Sequence, residues 1–241
     1  MTILKSDFMA YSFLILCVLL LIPGILIFTI RRDLRRPMAI VALFAIPFAF
    51  TEFLFYPEYW EPRFLFHLAD RIGFGIEDFL FVTGLGAFTS TVYPFIFSRK
   101  LTPVIAATAA GNRLRAAVPV VVALGLAFVL YQAGIPMIWG CVPIMLLIAV
   151  GIGILRPDLR RASLWGGILS AGFYFFICLI LGVIIPDVFA LNWHAEKFSN
   201  LYLLGVPLEE IAYAFAAGTV ASVFYPFAFR YRFQPYRSEG S

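Results

Sequence analysis

Charge is scarce in this chain. Asp, Glu, Lys and Arg make up 13% of its 241 residues and apolar residues make up 62%, against about a quarter and about half in soluble domains. That balance excludes a water-soluble globular protein. Cysteine is nearly absent: Cys17, Cys141 and Cys178 fall in separate apolar runs without ligand spacing. They read as small buried hydrophobes, and neither a disulfide framework nor a metal site is expected. No Gly-rich dinucleotide fingerprint follows a strand pattern, so no cofactor is expected either. The two histidines, His67 and His194, sit in loops, too shallow for an intramembrane protease of the Glu-Glu type. Lys5, Lys100 and Lys197 lie outside the predicted helices, which leaves no lysine for a retinal Schiff base.

What the chain does have is long apolar runs, at about 9 to 30, 37 to 56, 75 to 97, 116 to 134, 136 to 155, 163 to 186 and 206 to 229. Each approaches the roughly 20 residues a helix needs to cross a bilayer core. The expectation is an all-α, multi-pass integral membrane protein with seven transmembrane helices. Only Gln132–Pro136 separates the fourth and fifth, and a six-helix count is the alternative. The first run lacks the small-residue cleavage pattern of a secretory signal and is expected to be retained. With seven spans, fourteen of the 18 basic residues fall on one side, among them Arg31, Arg32, Arg35, Arg36, Arg99, Arg156, Arg160 and Arg161. Lys5, Arg63, Arg71 and Lys197 fall on the other. This positive-inside asymmetry predicts the N-terminus outside and the C-terminus in the cytoplasm, and explains the net charge of +4 without nucleic acid.

The chain also repeats itself. Arg31-Arg32-Asp33-Leu34-Arg35-Arg36 returns as Arg156-Pro157-Asp158-Leu159-Arg160-Arg161, and Pro57-Glu58-Tyr59-Trp60 has a weaker echo in Pro186-Asp187-Val188-Phe189. The acidic pairs Glu77-Asp78 and Glu209-Glu210 each open an apolar run that closes on Tyr-Pro-Phe, at Tyr93 and Tyr225. The reading is two parallel three-helix repeats joined by a linker helix (3+1+3): residues 1–100, 101–135 and 136–241. Helices three and seven would then face each other across a central space, with their acidic starts near the outer surface.

Acids in a first helical turn complement the macrodipole and need no function for that alone. Adjacent pairs at the same place in both copies, at the edge of hydrocarbon, point to a site. Four carboxyls near one axis and partly out of water cannot all ionise, so at least one is expected to hold a proton. Such an acid, facing an apolar cavity, can protonate a base as poor as an alkene. Tyr213 shares a helix face with both second-copy acids and could orient them, or serve as an interfacial anchor. Gly84, Ala216 and Ala217 leave room for close helix packing or for a thin ligand, and Phe81 is among the aromatics whose faces could meet a carbocation. His67 and His194 could relay protons to the acids, though loop histidines need no such role.

Pro57-Glu58-Tyr59-Trp60, Gly75-Ile76-Glu77-Asp78-Phe79-Leu80-Phe81 and Gly205-Val206-Pro207-Leu208-Glu209-Glu210 resemble the membrane-integral lycopene cyclases of bacterial, archaeal and fungal carotenoid pathways. Nearly the whole chain is similar to their fused two-domain form, with Gly75 replacing the proline of the Pro-x-Glu-Glu/Asp signature. The resemblance implies non-redox cyclisation of the ψ ends of lycopene to β-ionone rings, without flavin, in a bacterial cytoplasmic membrane. Its implied catalytic set is Glu77, Asp78, Glu209 and Glu210, with substrate contacts from Phe81, Gly84, Tyr213, Ala216 and Ala217. Lycopene or a related acyclic carotenoid is the expected partner, in contact with membrane lipid, and a homo-oligomer is compatible with it. The alternatives are a cyclase for a C50 or an ε- or γ-ring carotenoid, and a small 3+1+3 parallel-repeat transporter, whose Pro-Gln signature is missing here.

Overall fold

The computed structural model describes residues 11–104 and 109–236; Lys5 and Arg237, counted in the charge asymmetry above, lie outside them. The chain is a helical bundle in the order α1 (Ser12–Ile30), α2 (Arg35–Ala49), a short α3 (Leu68–Ile72), α4 (Ile76–Ile96), β1 (Arg99–Pro103), α5 (Ala109–Gln132) and α6 (Met137–Leu155). It continues with α7 (Arg160–Ile184), a short α8 (Val188–Asn192), the two-residue strands β2 (Tyr202–Leu203) and β3 (Val206–Pro207), α9 (Leu208–Ala228) and β4 (Tyr231–Pro235). Among the described residues, six helices (α1, α4, α5, α6, α7 and α9) are long and apolar enough to cross a membrane. Their outward faces carry apolar side chains such as Ile25, Leu147, Leu155 and Val183, which water would reject and lipid accepts. This is an all-α, multi-pass membrane architecture.

Two boundaries differ from the sequence reading. The second apolar run ends as a helix at Ala49 rather than near 56, so α2 has 15 residues. Beyond it the chain turns through a 3₁₀ segment at Glu52–Leu54. At the other boundary, the described part of α5 already runs from Ala109 to Gln132, ahead of the apolar run read from about 116.

At the basic end, two arginines perform matching tasks. Arg31 grips Asp33 through two nitrogens, at 2.9 and 2.8 Å, and reaches the carbonyls of Pro94 at 3.4 Å and Arg99 at 2.6 Å. Arg156 grips Asp158 at 2.8 and 2.7 Å and reaches Pro226 O at 3.5 Å and Tyr231 O at 2.9 Å. Each therefore supplies donors to the last-turn carbonyls of α4 or α9, which have no partner within the helix. The strands that follow these two helices, β1 and β4, pair antiparallel with Arg99 opposite Pro235.

Small residues set how closely the helices approach. A Cβ at Gly218 would fall 2.6 Å from the Gly166 carbonyl, and one at Gly166 would fall 1.9 Å from Ser222 Oγ. α7 and α9 can cross this closely only with glycine at both places. The α2–α4 contact is looser, since a Cβ at Gly86 would meet Ala45 Cβ at 3.3 Å and Val41 O at 3.6 Å. α4 and α9 touch through Ser222, whose hydroxyl donates to Thr89 O at 2.9 Å.

Candidate active site

The acidic pairs open α4 and α9 at identical positions, the second and third residues of each helix. The first acid of each pair turns back to the preceding loop. Glu77 Oε1 accepts the backbone N–H of Leu65 at 2.7 Å, and Glu209 Oε1 accepts that of Ser199 at 2.9 Å. In both, Oε2 is buried without a partner. These carboxyls anchor the loops that cover the acid end.

The second acid of each pair turns inward, and there the two differ. Asp78 Oδ2 accepts the Gly75 N–H at 2.6 Å, which caps α4. Glu52, from the 3₁₀ turn after α2, lines the same cavity as Asp78, and its Oε1 accepts the Trp60 indole N–H at 2.6 Å. Glu210 is held otherwise. It takes three donors: Tyr59 Oη at 3.0 Å and Trp193 Nε1 at 3.0 Å on Oε1, and Tyr174 Oη at 2.7 Å on Oε2. Burial and the facing Glu210 carboxyl push the Tyr59 hydroxyl above its ordinary range, so it stays a donor.

Two cavities meet at these acids. One of about 220 Å³ begins at Glu52 and Asp78 and runs past Val82, Ala123, Cys141 and Ala217 to Val41, Ile148 and Phe224, walled by α2, α4, α5, α6 and α9. A smaller one, about 60 Å³, is lined by Glu52, Tyr59, Trp60, Phe81, Tyr174, Glu210 and Tyr213. Glu52 and Tyr213 border both. Over the acid end, two loops join: Trp60 pairs with Trp193, their rings 5.2 Å apart, His194 N donates to Tyr59 O at 2.8 Å, and Glu61 N to Asn192 O at 2.8 Å. This cover separates the acids from water, and a low-dielectric site strengthens every charge interaction within it.

The residues expected to bind substrate divide. Phe81 and Tyr213 stack across the junction between α4 and α9, with ring centroids 6.2 Å apart and planes at 29°. Ala217 lines the larger cavity. Gly84 faces Leu20 and Leu21 of α1, and Ala216 is fully buried; neither borders these two cavities. The tyrosines that hold Glu210 are Tyr59 and Tyr174, whereas Tyr213 packs on Phe81. His67 pairs with Asp70 at 3.3 Å, and His194 lies 3.7 Å from Glu61 and 3.5 Å from Glu196, all at the acid end of the bundle.

Sequence reasoning singled out neither Glu52 nor Tyr174 as a site residue. A carboxylate at the end of a predicted span is a signal in itself, but a tyrosine in mid-helix looks like any other aromatic.

Among the described residues, no group of three or more His, Cys, Asp or Glu is arranged to hold a metal ion. No curated protein and no solved structure matches the chain. Residues 136–228, which span α6 to α9, match the family model described as lycopene cyclase.

Proposed function

We propose that this protein closes the ψ ends of lycopene to β-ionone rings, giving γ-carotene and then β-carotene, by acid catalysis without net oxidation or reduction. The observation that carries the reading is the apolar cavity that ends on buried carboxyls, in a chain whose residues 136–228 match the lycopene cyclase family model. Protonation at C2 of the acyclic end leaves a tertiary cation at C1. The C5=C6 double bond attacks it, forming the C1–C6 bond and moving the cation to C5. Loss of the C6 proton then restores a C5=C6 double bond, and the proton returns to a carboxylate of the site. Substrate and product are isomers, so the enzyme is an intramolecular lyase or isomerase, and no electron acceptor is consumed.

Within the four-acid set, Asp78 and Glu210 carry the chemistry, while Glu77 and Glu209 hold the covering loops. The stacked Phe81 and Tyr213 present aromatic faces to the developing cation. The 3+1+3 organisation is supported by the matching tasks of Arg31 and Arg156, the β1–β4 pairing and the identical positions of the acid pairs. In this arrangement α2, although 15 residues long, is the second of seven spans. The acid end faces outward and the arginine-rich end faces the cytoplasm. α5 links the halves and forms one wall of the polyene cavity.

The test is expression of the chain alone in a colourless host that accumulates lycopene, followed by chromatography of the pigments. γ-Carotene and β-carotene are the expected products. Unchanged lycopene, with the protein confirmed in the membrane, would refute the reading.

A further inference from the structure

The end of the bundle opposite the acids has a cavity of its own, about 650 Å³ and larger than either of the two above. Four guanidinium groups line it: Arg115 of α5, Arg156, Arg230 from the turn after α9, and Arg232 of β4. Among the described residues of the lining Asp158 alone is acidic, and Arg156 already holds it through two nitrogens. Arg232 has a neutral acceptor, the Gln234 side-chain oxygen, at 2.9 and 3.1 Å once that amide is turned to accept. Arg115 and Arg230 make no side-chain hydrogen bond or ion pair among the described residues. Three positive groups thus border one space with no negative group left to meet them. They repel one another until an anion enters.

The matching place in the first half is covered. Arg31 grips Asp33 as Arg156 grips Asp158, but the centre of the Tyr236 ring lies 4.2 Å from the Arg31 guanidinium carbon. The Arg31 side chain is 10% exposed, against 24% for Arg156. The lining of the open cavity is also partly apolar, through Leu155, Val104 and Phe227. Leu155, with Ile154 beside it, faces outward on the last turn of α6, the kind of surface that lipid tails cover. Cationic groups next to exposed hydrocarbon match the two parts of a phospholipid, and guanidinium forks fit the oxygens of a phosphate. We propose that this cavity binds the phosphate of an anionic phospholipid, gripped by Arg115, Arg230 and Arg232, with an acyl chain laid against Leu155 and Ile154. The bound phosphate bridges α5 to the segment that follows α9, and the lipid stabilises the folded chain by mass action.

The test uses the purified full chain in neutral detergent, with native mass spectrometry to read bound lipid and thermal unfolding to read stability. Phosphatidylglycerol is expected to stay bound and to raise the unfolding temperature. Phosphatidylcholine, whose choline cancels the phosphate charge, and inorganic phosphate, which has no acyl chain, are expected to do neither at the same concentration. Arg115→Gln and Arg230→Gln are each expected to weaken phosphatidylglycerol binding about tenfold. Arg113→Gln, at an exposed arginine of the same helix outside the cavity, is expected to leave it unchanged. The first two variants lie on different elements and spare the Arg156–Asp158 grip, so folding is expected to survive in both. Equal weakening by Arg113→Gln would reduce the attraction to general surface charge and overturn the site, as would a protein that retains no phosphatidylglycerol. Stabilisation by inorganic phosphate without lipid binding would give the cavity to a soluble phosphate compound and overturn the lipid assignment.

Discussion

Asp78 and Glu210 hold the same position in two helices that begin alike, yet one accepts a single backbone N–H beside a second cavity-lining carboxyl, Glu52, and the other accepts from three side-chain donors. The neighbouring helices account for the difference. In the first half α2 stops at Ala49, and the turn after it brings Glu52 to the cavity that Asp78 lines. In the second half α7 runs on to Ile184 and presents Tyr174 from its middle, pressed close by the Gly166–Gly218 crossing. Two helix starts that match in sequence thus end in unlike surroundings. For the proposed cyclisation, which needs a proton donor and, separately, a negative group for the cation, a symmetric pair would offer two copies of one or the other.

The comparison can be broken by exchanging its terms. Asp78→Asn is expected to have the largest effect, a loss of about 10²- to 10⁴-fold in ring formation, read as the ratio of cyclic to acyclic pigment. Glu210→Gln is expected to cost about 10²- to 10³-fold by the same measure, as for removal of one fixed electrostatic group from a dry site. An equal or larger loss than that of Asp78→Asn would make Glu210 the more important of the two acids. Tyr174→Phe removes one of three donors from Glu210 and is expected to lower ring formation about tenfold, since a hydrogen bond to a charged group contributes about 1.5–3 kcal/mol. Glu77→Ala and Glu209→Ala are expected to act on stability rather than chemistry. Each leaves a loop N–H without its partner, at a cost of about 1–3 kcal/mol in thermal or denaturant unfolding, with cyclisation per folded molecule little changed. A collapse of activity in stably folded protein would return the first acids of the pairs to the chemistry.

Much of this was legible in the residues. The apolar runs mark six helices long enough to cross a membrane, within a few residues of their observed ends. The acid pairs do open helices, and the repeated Arg-x-Asp motifs do make the same bonds at one end. The end of α2 was missed because Pro47 and the aromatic residues after it continue the apolar pattern while the backbone turns. Within each pair, sequence gave no means of separating the acids. Adjacent residues on a helix point about 100° apart, so one of two neighbours must face inward, but which one depends on how the helix is rotated in the bundle.

Composition and periodicity determined the helical membrane fold and the end of the bundle where carboxyls gather, because burying a chain in lipid demands long uncharged helices and makes any acid costly. Tertiary structure decided the rest. Glu52 and Asp78 come to line one cavity from different elements, and Tyr59, Tyr174 and Trp193 converge on Glu210 from 151, 36 and 17 residues away. Such placements are set by helix rotation, by the glycine-to-glycine crossing of α7 and α9, and by the pairing of two loops, none of which leaves a local pattern in the sequence.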